Sequence, residues 1–346
     1  MAYTTIKKPS DYFNTVLYTG DGSASRSITG TGFQPDWVWI KNRSSSQEHR
    51  LHDAVRGANK LLRTNSNGAE ATTSQDVMSF DSNGFTVGTE AAVNGSGNSL
   101  VAWNWLGANG TASNTDGSIT STVSANTTSG FSIVSYTGNS TAGATVGHGL
   151  DVAPKMLIAK NRTNGSTNWG VWHTGIPINE HLILNGTQAS SVYTGFFNNT
   201  LPSTSVVTLG NDVVTNGSGN NIILYCFAEK KGFSKFGSYT GNGSTDGTFC
   251  FTGFKPAFVL IKSSSLSQDW FIHDNKRSTF NVSNTVLLPN TYDLDITDTT
   301  VYGIDMVSNG FKVRGTHARI NQSGSSYIYM AFAEEPLVGD NPCTAR

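Results

Sequence analysis

The stretch from Trp270 to Arg277 reads WFIHDNKR and sets His273 directly before Asp274. An imidazole beside a carboxylate suggests a general base with its orienting partner, the arrangement used in proton abstraction and acyl transfer. Two related strings occur earlier, HRLHD with His52 and NWGVWH with His173. Laid over one another, the three strings put His52, His173 and His273 opposite each other, with apolar or aromatic neighbours. The carboxylate does not recur: Thr174 follows His173. A catalytic dyad repeated three times in one chain would be unusual. A corner of the fold where an imidazole bonds a local carbonyl is ordinary, and the three histidines are read as structural. The pairs Asp53 with Arg56 and Asp274 with Arg277 are spaced to fasten their own loops. Near a surface each such pair contributes roughly 0 to 1 kcal/mol.

Other chemistry is sparse. The run YDLDITD brings Asp293, Asp295 and Asp298 close in sequence and is the one place where calcium could be held. It lacks the glycine and terminal glutamate of an EF-hand loop, so a solvated loop is the expectation and no cofactor is assigned. No phosphate loop, GxSxG, HExxH or CxxC occurs. Cys226, Cys250 and Cys343 are too scattered for a disulfide framework or a zinc site. Acidic residues nominate no facing carboxylate pair of the kind a glycosidase needs, and the chain is expected not to be an enzyme. Trp37 and Trp39 share a strand face, as do Trp103 and Trp105, which is how a sandwich core is built. Trp169 and Trp270 lie beside variable loops and are the candidates for exposed rings that could stack on a glycan.

Composition narrows the partners. The 346 residues carry 23 basic and 24 acidic side chains, a net charge of -1, so nothing suggests an electrostatic footprint for nucleic acid. No apolar run approaches the roughly 20 residues of a membrane-spanning helix, and no signal-peptide pattern opens the chain. Abundant Gly, Ser, Thr and Asn among aromatic runs describe short strands joined by tight turns.

Those strands recur. YTG appears at Tyr18, Tyr136 and Tyr239, about every 100 to 120 residues. A strand ending in lysine follows each time: WVWIK to Lys41, MLIAK to Lys160 and FVLIK to Lys262. Its alternation suggests a half-buried strand. A third block, NGSG or NQSG, feeds a long apolar strand that closes each unit. DSNGF and VSNGF add tight Asn-Gly hairpins to the first and third units. The expected fold is all-β: three tandem β-sandwich repeats, jelly-roll or concanavalin-like, with short terminal arms. The boundaries are an arm at 1–13, repeats at 14–107, 129–230 and 231–335, a polar linker at 108–128 and a tail at 336–346. The near-direct join of repeats two and three predicts that they form the more rigid pair.

The blocks YTGxGS, GFxPDxVWIKNR, SFDSNGF, NGSGNSxVAWxW and YIYMAFAEEPLVG resemble an uncharacterised repeat family of tailed bacteriophages, especially phages of marine bacteria. The resemblance covers nearly the whole chain. It implies a structural, non-enzymatic virion protein, made in the host cytoplasm and grouped with tail fibres or appendages. Each unit is similar in outline to concanavalin-like or laminin-G-like sandwiches, which extends the expectation to binding of host-surface glycans. Partners would be other virion proteins and further copies of the chain, a trimer being the symmetry of a fibre-like part. The competing readings are a capsid-surface decoration protein and a glycan-active enzyme on a concanavalin-like scaffold.

Overall fold

A computed structural model describes residues 3–298, 301–339 and 342. The chain is all-β, with strands arranged in several antiparallel sheets and helices no longer than one turn. Two four-stranded sheets and the middle of an eight-stranded one share one strand order: opening strand, closing strand, lysine strand, corner strand. In the first unit these are Phe13–Thr19, Ser99–Trp105, Trp37–Asn42 and Arg50–Asp53. In the second they are Phe131–Thr137, Asn221–Phe227, Met156–Asn161 and Trp169–His173. In the third they are Ser234–Thr240, Ser326–Pro336, Phe254–Ser263 and Trp270–Asp274. The lysine and closing strands are central and apolar, as strands covered on both faces must be.

The recurring motifs have a mechanical reason. The tyrosine of each YTG donates its hydroxyl hydrogen to a carbonyl just before the closing turn: Tyr18 to Val93, Tyr136 to Thr215 and Tyr239 to Ile320, at 2.6–2.7 Å. A buried asparagine from that turn (Asn94, Asn216, Asn321) answers by accepting from the backbone after the YTG glycine. The glycine itself is needed for close approach, since a Cβ on Gly20 would lie 2.1 Å from the Gly95 carbonyl oxygen. The Asn83 and Asn309 turns close two-residue hairpins, Asp81 pairing with Gly84 and Val307 with Gly310.

One face of each main sheet packs on a smaller outer sheet. In the first unit that sheet is Arg26–Thr29, Gly84–Val87 and Val77–Asp81, enclosing Ile28, Val38, Ile40, Phe85 and Leu100. The third unit matches it with Phe249–Phe251, Gly310–Val313 and Ile304–Val307. The second unit keeps only Thr145–Gly147 and Val206–Thr208.

The opposite faces of the three main sheets meet one another. A single cluster joins Phe13, Trp37 and Trp105 to Phe131, Tyr225 and Phe227 and to Phe258 and Phe332. Trp37 lies 4.9 Å from Tyr225 and Phe13 lies 5.2 Å from Phe332, ring centre to ring centre. Trp37, Trp39, Trp103 and Trp105 therefore line a hub shared by three units rather than the interior of their own sandwich. For the same reason the lysine strand is not half-buried: all six residues from Trp37 to Asn42 are buried.

The boundary expectations also shift. Residues 108–128, expected as a polar linker with at most one edge strand at SITSTV, carry two strands. Ala112–Asn114 and Ser121–Asn126 form two strands that extend the second unit's sheet beside Phe131–Thr137. All three units share the hub. The described part of the N-terminal arm lies against the third unit, where Tyr3 donates to the Gly253 carbonyl and Ile6 is buried. Met1, Ala2, Cys343 and most of the tail beyond Gly339 lie outside the described residues. Among the described residues no helix is long and apolar enough to cross a membrane.

A hub shared by three units predicts one unfolding event. Urea unfolding followed by tryptophan fluorescence and by far-ultraviolet circular dichroism should give coincident curves for the intact chain. The first unit expressed alone, residues 14–107, should aggregate, because four tryptophans lose their cover. Three separable transitions would contradict this.

Candidate functional site

The corner strand carries the residues that the sequence nominates for chemistry, and its register decides their roles. Asp53 pairs with Trp37, and Asp274 pairs with the equivalent Phe258. In the second unit the residue opposite Met156 is His173. His173 is therefore the counterpart of Asp53 and Asp274, facing the hub. The counterpart of His52 and His273 is Trp172, which pairs with Leu157 as those histidines pair with Val38 and Val259. The expected alignment of three histidines is corrected by one residue, because the loop before Trp169 is one residue longer than its equivalents.

At this hub-facing corner each unit grips the next. Both side chains of the Asp53–Arg56 and Asp274–Arg277 pairs are fully buried. Asp53 also accepts from the Tyr225 hydroxyl of the second unit at 2.7 Å. His173 accepts the Gly175 N–H on Nδ1, which leaves Nε2 to donate to the Tyr329 carbonyl of the third unit at 3.1 Å. Asp274 accepts from the Trp103 indole of the first unit at 3.0 Å, so the circuit closes. The expectation of near-surface pairs worth less than 1 kcal/mol does not hold at these two positions: they are buried ion pairs that also bridge units.

A second circuit runs the other way. His49, just before the first corner strand, accepts from the Trp39 indole on Nδ1 and reaches the Leu288 carbonyl of the third unit at 3.0 Å. The Trp169 indole donates to the Arg63 carbonyl of the first unit, and the Trp270 indole to the Ile183 carbonyl of the second, both at 2.9 Å. Trp169 and Trp270 are thus buried between units. The expectation that they offer exposed rings to a glycan is corrected, since each ring fills the seam with the preceding unit. His49 is the partner sequence reasoning missed. Its position just ahead of the corner strand was the available signal.

The repeated lysines complete this circuit. Lys41 donates to the carbonyls of Asn42, Gln47 and Tyr292, the last from the third unit. Lys160 reaches the Asn67 carbonyl of the first unit and Lys262 the Thr187 carbonyl of the second. Burial lowers their pKa values, to about 8 for Lys41 and Lys160 and about 7 for Lys262. Arg43 and Arg162 add ion pairs across the same seams, to Asp295 at 2.6 Å and to Glu70 at 2.8 Å.

One residue of the acidic run, Asp295, is engaged at this seam. Asp295 gives one oxygen to Arg43 and the other to Arg277, so its charge is spent on two guanidinium groups. Asp293 and Asp298 sit on a loop whose backbone bonds Thr291 and Asn284. Among the described residues no three His, Cys, Asp or Glu side chains gather as a metal ion requires. Cys226 and Cys250 are buried free thiols, both pushed up by burial, Cys250 to about 12.

Two predictions follow from this geometry. Asp274→Ala strands the Arg277 guanidinium in the interior and should cost about 3–5 kcal/mol. Trp103→Phe, which removes one donor to the same carboxylate, should cost about 1 kcal/mol. Urea midpoints measure both, and an unchanged midpoint for Asp274→Ala would refute the fastening role. The histidines predict an acid-side loss of stability. Burial holds His52 and His273 down to about 3 and His173 to about 4, against an ordinary 6.5. Below pH 6.5 the unfolded chain takes up these protons while the folded chain does not. Stability should therefore fall as pH drops from 6.5 toward 4. His173→Gln, which keeps a donor for Tyr329, should flatten the slope by one proton, about 1.4 kcal/mol per pH unit. Calorimetric melting between pH 7.5 and 4.5 tests it.

No curated protein and no solved structure matches the chain. One family model, described as Domain of unknown function (DUF7483), matches residues 8–336. That span takes in the docked arm from Lys8 and all three interlocked units, the extent over which the hub is continuous. The chain belongs to the DUF7483 domain family.

Proposed function

We propose that this chain is a non-enzymatic structural component of a bacteriophage virion, a tail appendage or surface knob whose outer loops meet the host surface. The observation that carries the structural reading is the use made of the corner side chains. Asp53, His173 and Asp274, the residues best suited to acid–base chemistry, are buried and committed to neighbouring units. A general base must reach a substrate proton, and these reach a tyrosine, a carbonyl and an indole of the same chain. The placement in a virion rests on the resemblance of the repeated blocks to tailed-phage proteins. Three units fastened around one hub, with a net charge of -1, suit a part that keeps its shape outside a cell. Because one chain presents three sheets with a common four-strand order around a shared hub, a single copy can approximate the symmetry of a threefold shaft, and a homotrimer is not needed to match it.

Electron microscopy of the intact particle tests this reading. Density for the three-unit ring should lie on the tail or its appendages. Density repeated over the capsid lattice would make the chain a decoration protein, and its absence from the particle would overturn the virion assignment.

A further inference from the structure

The second unit breaks the pattern of the other two, and the break leaves a cleft. In the first and third units the outer sheet has three strands, the third being Val77–Asp81 or Ile304–Val307. The second unit has no such strand and no Asn-Gly hairpin. In its place the segment from Tyr193 folds back and sends Phe196 into the sandwich. The main sheet makes room for that ring. Gly170 stands where the other corner strands carry Arg50 and Phe271, and a Cβ there would come within 2.7 Å of the Phe196 ring. Phe196 thus fills from outside the space that Phe271 fills from its own strand.

Above Phe196 lies a cavity of ≈ 390 Å³, within the roughly 300–1,000 Å³ of small-ligand sites. Its chemistry is mixed. Tyr193, His181 and Phe196 form an aromatic wall, and Asn168, Gln188 and Asp212 provide polar groups. The Asp212 carboxylate is fixed in place, accepting the Val214 N–H on one oxygen and the Tyr193 hydroxyl on the other. Tyr193 is 41% exposed and Gln188 is exposed.

Three ligand classes can be weighed against this lining. An anion finds no Lys or Arg in the wall, and burial lowers the pKa of His181, disfavouring its charged form. A quaternary ammonium needs rings set apart around it. Here the rings touch edge to face, with centres 4.7 Å apart for His181 and Phe196 and 5.4 Å for Tyr193 and Phe196, so no cage opens between them. A neutral sugar ring satisfies the rest. Its C–H face stacks on an exposed aromatic side chain, while its hydroxyls both donate to the carboxylate and pair with planar amides.

We propose that this cleft of the second unit binds a neutral saccharide, with Tyr193 as the stacking platform and Asp212, Asn168 and Gln188 reading the hydroxyls. The proposal rests on the surface-meeting part of the reading above and gives it a site. The test uses the full chain and saturation-transfer NMR with glucose, galactose, mannose and N-acetylglucosamine at millimolar concentration, with choline and sialic acid as comparison probes. At least one neutral sugar should receive saturation. Tyr193→Ala and Gln188→Ala should each weaken its binding about tenfold, while Tyr193→Phe retains most of it. Should Tyr193→Ala alter the melting temperature, the exposed Gln188→Ala decides.

Saturation of choline or sialic acid in preference to every neutral sugar would overturn the proposal. So would no sugar binding by a folded chain, or binding untouched by both substitutions. The virion reading fails separately: a chain that binds sugar but is missing from the particle sinks that reading alone. A chain located on the particle whose cleft ignores all four sugars sinks this proposal alone.

Discussion

Each main sheet has a second apolar face that its own sandwich cannot cover, and the rest of the molecule answers to that face. A sheet carrying Trp37, Trp39, Trp103 and Trp105 on one side cannot leave them in water, since burying each large side chain is worth about 1.5–3 kcal/mol. Two sheets face to face would still leave an edge of the aromatic layer open. Three sheets around one hub enclose it, and all seven tryptophans end up buried. The circular contacts are a consequence. Once strand edges, indoles and carboxylates are drawn into a water-free seam, each must find a partner there, and the nearest partners belong to the adjacent unit.

The partners match chemically, position by position. On the closing strand, Trp103, Tyr225 and Met330 occupy equivalent places opposite the lysine strand. Where that place offers a donor, the neighbouring corner holds a carboxylate: Asp274 for Trp103 and Asp53 for Tyr225. Met330 has no hydrogen to donate, and a buried carboxylate beside it would lack that bond. The corner facing it carries His173, which donates instead to the adjacent Tyr329 carbonyl. The arginines follow suit. Arg56 and Arg277 neutralise the two buried carboxylates, and His173, neutral, has Thr174 after it and needs no arginine. What looked in sequence like a dyad with a missing member is one seam solved with a carboxylate twice and an imidazole once.

Much of this was legible in the residues, and the failures have physical causes. The lysine strands, the Asn-Gly hairpins at Gly84 and Gly310 and the closing turns were readable because each rests on local backbone chemistry. The hub was not, because it concerns what covers a strand rather than what the strand is. WVWIK, MLIAK and FVLIK suggest alternation if only the larger side chains are counted. As runs with almost no polar interruption they mark strands buried on both faces, and that signal pointed to the hub. His173 was misplaced because identity of residue type outweighed spacing: His52 and His273 follow Lys41 and Lys262 by the same interval, while His173 follows Lys160 by two residues more. Trp169 and Trp270 suggested exposure because they border loops, yet those loops are the seams.

The same constraint decides where the chain is free to vary. A substitution at Asp53, Tyr225 or Lys160 has to be matched in another unit, since each is one half of a contact between units. The outer sheets carry no such obligation, because they cover only their own sandwich. The second unit uses that freedom: it gives up one outer strand, and the Phe196 ring takes over the cover that strand would have supplied. The exchange is tolerable because Gly170 removes the side chain that would have collided with the ring, so the sandwich stays filled while its rim opens. Three units are needed to close the hub, but only the hub needs them alike, which leaves one rim available for a surface the other two do not share.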